Sequence, residues 1–78
     1  MAMVNDIVQA LHNLGGRAHY SQIYDEYEII TGREMTPSLK ASIMKTIEDH
    51  SSDSRNFKGS DDFFYSVYGL GQGWWGLR

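Results

Sequence analysis

Ser38, Ser42 and Lys45 recur at i, i+4 and i+7, and Ser51, Ser52, Ser54, Arg55 and Lys58 follow within one short polar stretch. Hydroxyls, backbone amides, lysine and arginine in this combination are the groups that hold phosphodiester oxygens. Side chains as short as serine and Ala41 also let a helix come close to a groove in nucleic acid. Glu48 and Asp49 on the same helix can only accept; they suit a cytosine amino group and work against neighbouring phosphates. The competing reading is a solvated helix face followed by a capping loop, since Ser and Asp satisfy local backbone groups in many turns. Further along, Gln72 sits in the glycine-punctuated run Gly69–Gly73, directly before Trp74. A tryptophan left exposed beside such a tip can stack on an unpaired or modified base, although a small domain more often folds its tryptophans into the core.

Other chemistries find little support. His12, His19 and His50 have no metal-ligand spacing with one another or with a carboxylate pair. Gly69-Leu70-Gly71-Gln72-Gly73 resembles a phosphate-cradling loop only in its glycines, because no helix follows it. There is no nucleophile elbow, no Walker loop and no paired-carboxylate pattern. The expectation is therefore a binding protein, not an enzyme, with no catalytic residue, metal or cofactor.

These groups need a scaffold, and 78 residues supply a single domain, taken as 1–78, with a small core. Without cysteine, neither disulfides nor thiolate-bound metal can reinforce it. Aromatic residues, 13% of the chain, must then provide much of the buried bulk. No apolar run has the length of a membrane span and no signal-like start is present, so a soluble, cytoplasmic protein is the expectation. The net charge of −3 does not by itself favour nucleic acid. Its distribution is uneven: residues 1–30 set Arg17 against Asp6, Asp25, Glu26 and Glu28, and all the net acidity lies there.

Val4, Ile7, Val8, Leu11 and Leu14 make an amphipathic helical stripe, closed by Gly15-Gly16. Arg17–Tyr20 is too short for a helix and can form a strand pairing with a C-terminal hairpin. Ser21 is the expected N-cap of a second helix, which buries Ile23, Tyr24, Tyr27 and Ile30 and ends at Gly32. Thr36-Pro37 starts a third, with Thr as cap and Pro at the first position, running to about His50 on a Leu39-Ile43-Ile47 face. Ser51 to Ser60 reads as a loop. Phe63–Tyr68 and Trp74–Leu77, separated by glycines, read as a hairpin in which Tyr65, Val67, Trp75 and Leu77 face the core and Trp74 faces away. The expected class is α+β, a winged helix-turn-helix: three helices, one short strand and a C-terminal β-hairpin wing.

His19-Tyr20-Ser21-Gln22-Ile23-Tyr24, Gly32–Pro37, Phe63–Val67 and Gly73–Leu77 together resemble two related groups of winged helices. One is the HARE-HTH group of chromatin proteins and the bacterial RNA polymerase delta subunit. The other comprises the winged helices attached to prokaryotic restriction endonucleases of the HNH and Mrr-like types; the Ser51–Ser54 loop and the closing Trp-Gly-Leu-Arg are more similar to these. The resemblance implies binding of double-stranded DNA, in some relatives with a preference for modified bases, in the service of a restriction nuclease or another effector domain. The residues expected at DNA are Ser38, Ser42, Lys45, Ser51, Ser52, Ser54, Arg55, Lys58, Gln72 and Trp74. A reading of another class turns the acidic first half, through Asp25, Glu26 and Glu28, toward a basic protein partner.

Overall fold

A computed structural model describes residues 3–59 and 61–78, so Ser60 at the end of the polar loop lies outside the described residues. The elements follow in the order α1 (Met3–Asn13), β1 (Arg17–His19), α2 (Tyr20–Thr31), α3 (Pro37–Asp49), β2 (Phe64–Ser66) and β3 (Trp74–Leu77). α1 packs against a three-stranded antiparallel sheet of order β1-β3-β2, and α2 and α3 pack against α1 and each other, a small α+β arrangement. β1 exists because Ala18 pairs with Trp75 and His19 with Trp74, the strand-to-hairpin pairing anticipated from sequence.

Each helix buries the face its periodicity marks. Ile7 and Leu11 of α1, Ile23 and Tyr27 of α2, and Ile43 and Ile47 of α3 meet Phe64 and Trp75 of the sheet in one core. α3 begins as expected: the Thr36 hydroxyl accepts the Leu39 N–H at 3.1 Å, and Pro37 occupies the first turn.

α2 begins differently. Its cap is His19, not Ser21, and the helix starts at Tyr20. The Ser21 N–H donates to His19 Nδ1 at 3.3 Å, and the His19 N–H donates to Gln22 Oε1 at 3.1 Å. The strand runs straight into the helix, so an imidazole lone pair takes the place normally held by a hydroxyl. Because Nδ1 accepts, the ring proton of neutral His19 sits on Nε2.

The hairpin also differs from expectation, by one residue in β2. Phe64, opposite Leu77, is fully buried and shares its face with Ser66 and Trp75. Tyr65, opposite Gly76, lies on the other face. A one-residue slip exchanges every side chain between faces. In Phe63-Phe64-Tyr65 the ring without a hydroxyl takes the core position, and the phenol stays where its oxygen can meet water. The Tyr65 ring then covers Gly76 so closely that a Cβ there would fall 2.5 Å from it.

Candidate nucleic-acid interface

Ser38, Ser42 and Lys45 lie on one exposed flank of α3, joined by Asp49 a turn further on. The Ser42 hydroxyl donates back to the Ser38 carbonyl at 3.1 Å, and Lys45 Nζ lies 2.9 Å from Asp49 Oδ2. That hydrogen bond from Lys45 is the main reason the Asp49 carboxyl is held below its ordinary value, with Lys58 and His50 adding to it. An exposed i,i+4 pair of this kind is weak, and the Lys45 side chain remains 69% exposed. It can exchange its carboxylate for a phosphate at little cost.

The polar loop divides. Ser51 is fully buried, its Oγ accepting the Asp53 N–H at 3.3 Å, so its side chain shapes the loop from inside. Ser52 is tied through its N–H to Asp62 Oδ1 at 2.9 Å, and its Oγ accepts from Arg78 Nη2 at 3.0 Å. Ser54 Oγ accepts the Asn56 N–H at 3.1 Å. Arg55 and Lys58 have exposed side chains and form no ion pair among the described residues. Sequence reasoning gave the three serines the same role as these two cations, whereas their hydroxyls are largely engaged in holding the loop.

Arg78 holds the loop from the far end of the chain. Its guanidinium reaches Asp53 Oδ1 at 3.2 Å and Asp62 Oδ1 at 2.9 Å, and also donates to the Phe64 carbonyl at 2.9 Å. Asp53 Oδ2 meanwhile accepts the Ser66 N–H at 2.8 Å, so the loop carboxylate completes the outer edge of β2. The Asp62 carboxyl is held low by hydrogen bonds from the Ser52 side chain and N–H, and then by Arg78. No local sequence signal reveals this clamp, since its partners lie up to 26 residues apart.

Between α3, this loop and the hairpin tip runs an open groove of about 560 Å³. Met44 and Glu48 form its α3 wall; Ser54, Arg55 and Asn56 its loop wall; and Gly69 to Gly73, with Gln72, its hairpin wall. Of the residues anticipated from sequence, Ser54, Arg55 and Gln72 thus meet in one place, while Ser38, Ser42 and Lys45 stand on the neighbouring flank of α3. Gly73, at φ +78, must be glycine both for that angle and because a Cβ would fall 2.7 Å from the Tyr20 ring.

Trp74 does not line the groove. It is half-buried and packs edge-on against His19 at 5.7 Å and Tyr68 at 5.6 Å, part of an aromatic chain that continues through Tyr20 to Tyr24. Burial, with Tyr20 adding to it, raises the Tyr24 hydroxyl above its ordinary value, and Lys40 Nζ lies 5.7 Å from the centre of that ring. Sequence reasoning missed Asn56 and Met44 on the groove, and His19 and Tyr20 at its end. Among the described residues, no three His, Asp or Glu side chains gather as a metal ion would need, and no helix is long and apolar enough to cross a membrane. Comparison of the chain with protein-family models, with curated proteins and with solved structures finds no match to any of them.

Proposed function

We propose that this chain is a winged helix-turn-helix module that binds double-stranded DNA, with α3 entering the major groove and the β2–β3 hairpin acting as the wing. The observation that carries the reading is the meeting of α3, the Ser54–Asn56 loop and the hairpin tip around one open groove, with exposed Ser38, Ser42 and Lys45 on the neighbouring flank of α3. Lys45, Arg55 and Lys58 contact phosphates, with Lys40 at the edge. Ser38 and Ser42 allow the close approach, and Gln72 and Trp74 follow the backbone from the wing side. Three or four such cations give modest affinity and a slope of about −3 to −4 in log K against log salt.

The sequence resemblance to winged helices of restriction endonucleases supports extending the reading to modified DNA and to service of a nuclease or regulatory partner. The test is fluorescence anisotropy on labelled duplexes, unmodified and carrying N6-methyladenine or 5-methylcytosine, at low and physiological salt. Salt-sensitive binding is expected. No binding at low salt contradicts the proposal and favours the acidic Asp25-Glu26-Glu28 surface as a dock for a basic protein.

A further inference from the structure

We infer that the groove between α3 and the hairpin tip is a slot for one unpaired nucleobase whose Watson–Crick edge sets an amino group beside a ring-nitrogen acceptor and no ring N–H, adenine or cytosine. The inference rests on the DNA-binding reading and adds what the groove itself selects. Its charge is balanced, so neither a simple anion nor a simple cation satisfies both walls. Glu48 stands on the α3 wall and would repel a phosphate, while Arg55 on the loop wall would repel a lysine side chain. A groove with one cation and one carboxylate facing it suits a neutral ligand that both donates and accepts.

The hydrogen-bonding inventory is consistent with that. Asn56 Nδ2 donates to Glu48 Oε1 at 3.1 Å, which fixes the carboxylate and leaves Oε2 to accept from an exocyclic amino group. Donors for the adjacent ring nitrogen are at hand in the Gln72 amide and in His19, whose Nε2–H follows from its capping role and lies beside Gly73. Apolar walls for the faces of a ring come from Met44, Leu70 and the edge of Tyr20. About 560 Å³ is within the range of small-ligand sites and holds one base with its sugar. Such a slot is filled only when a base leaves the stack, so the expected substrates are duplexes in which one base has no partner.

The experiment compares labelled duplexes holding adenine, cytosine or thymine opposite an abasic site with the fully paired duplex, for wild type, Glu48→Gln and Gln72→Ala. Adenine and cytosine are expected to bind about tenfold tighter than thymine, which lacks the amino group. Glu48→Gln keeps the Oε1 acceptor for Asn56 but turns Oε2 into a donor, so it removes that discrimination while keeping salt-sensitive binding of the paired duplex. Gln72→Ala reduces it from the opposite wall, and circular dichroism verifies that both variants are folded. Salt-sensitive binding that treats all four duplexes alike overturns the slot and leaves the DNA reading intact. Absence of binding to every duplex overturns both. A lysine-rich peptide that binds wild type and is lost in Glu48→Gln overturns the slot in favour of a peptide site.

Discussion

Asn56 Nδ2 donates to Glu48 Oε1 at 3.1 Å, linking the loop after α3 back to the last turns of that helix. One hydrogen bond thereby fixes two things. It holds the groove carboxylate, and it sets the loop position from which Arg55 projects. Glu48, a liability beside phosphates when α3 is considered alone, becomes an anchored acceptor facing the hairpin.

The two flanks of α3 should separate in a salt titration. Replacing Lys45 and Arg55 together by alanine should reduce duplex affinity and make the slope of log K against log salt shallower by about 2. Neither side chain is buried, so thermal stability should hardly change. Anisotropy at four or five salt concentrations, with a melt as control, measures both.

Phe64 and Tyr65 test the register of β2. Phe64→Ala empties a fully buried ring position and should cost about 3–5 kcal/mol, enough to unfold much of a domain this small. Tyr65→Ala, on the half-exposed face, should cost clearly less. Urea unfolding of both variants decides it; equal losses, or a larger loss at Tyr65, would restore the alternation expected from sequence.

Gly76 should tolerate no side chain without disturbance. An alanine Cβ would meet the far end of the Tyr65 ring at 2.5 Å, and that half-exposed ring must swing aside, so Gly76→Ala should destabilise by about 1 kcal/mol. Combining it with Tyr65→Ala should recover most of that loss, because the obstructing ring is then gone. Melting temperatures of the two single variants and the double variant give the coupling.

Acid should loosen the loop before it reaches the core. The Asp62 carboxyl is held low by Ser52 and Arg78, and Asp49 by Lys45. A depressed folded-state value contributes stability above the unfolded carboxylate value of about 3.9, and that contribution is lost as pH falls through the folded value. Melting temperature measured from pH 6 to pH 2 should therefore fall less steeply below about pH 4 in Asp62→Asn than in wild type, whereas Asp49→Asn, which loses only an exposed pair, should follow wild type. At neutral pH Asp62→Asn should be less stable than wild type.

Much of the fold was legible in the sequence because it rests on short-range signals. Thr36-Pro37 marked α3, the Val4–Leu14 stripe marked α1, and the glycines between aromatic runs marked the hairpin. The α2 boundary was missed because histidine is an uncommon cap, and its role depends on β1 ending where the helix begins. The β2 register was missed because three successive aromatics fit either phase of a two-residue period. At the candidate site, the exposure of Lys45, Arg55, Lys58 and Gln72 was legible. The inward turn of Ser51, the Arg78 clamp and the Asn56–Glu48 bond arise from contacts distant in sequence, which no local spacing encodes.

The most direct test of the central claim is amide chemical-shift mapping of the folded chain titrated with a short DNA duplex. The account predicts shifts concentrated in residues 38–45, 54–58 and 70–73, fading as salt is raised. Shifts confined to the Asp25–Ile29 face of α2, or none at low salt, would contradict it.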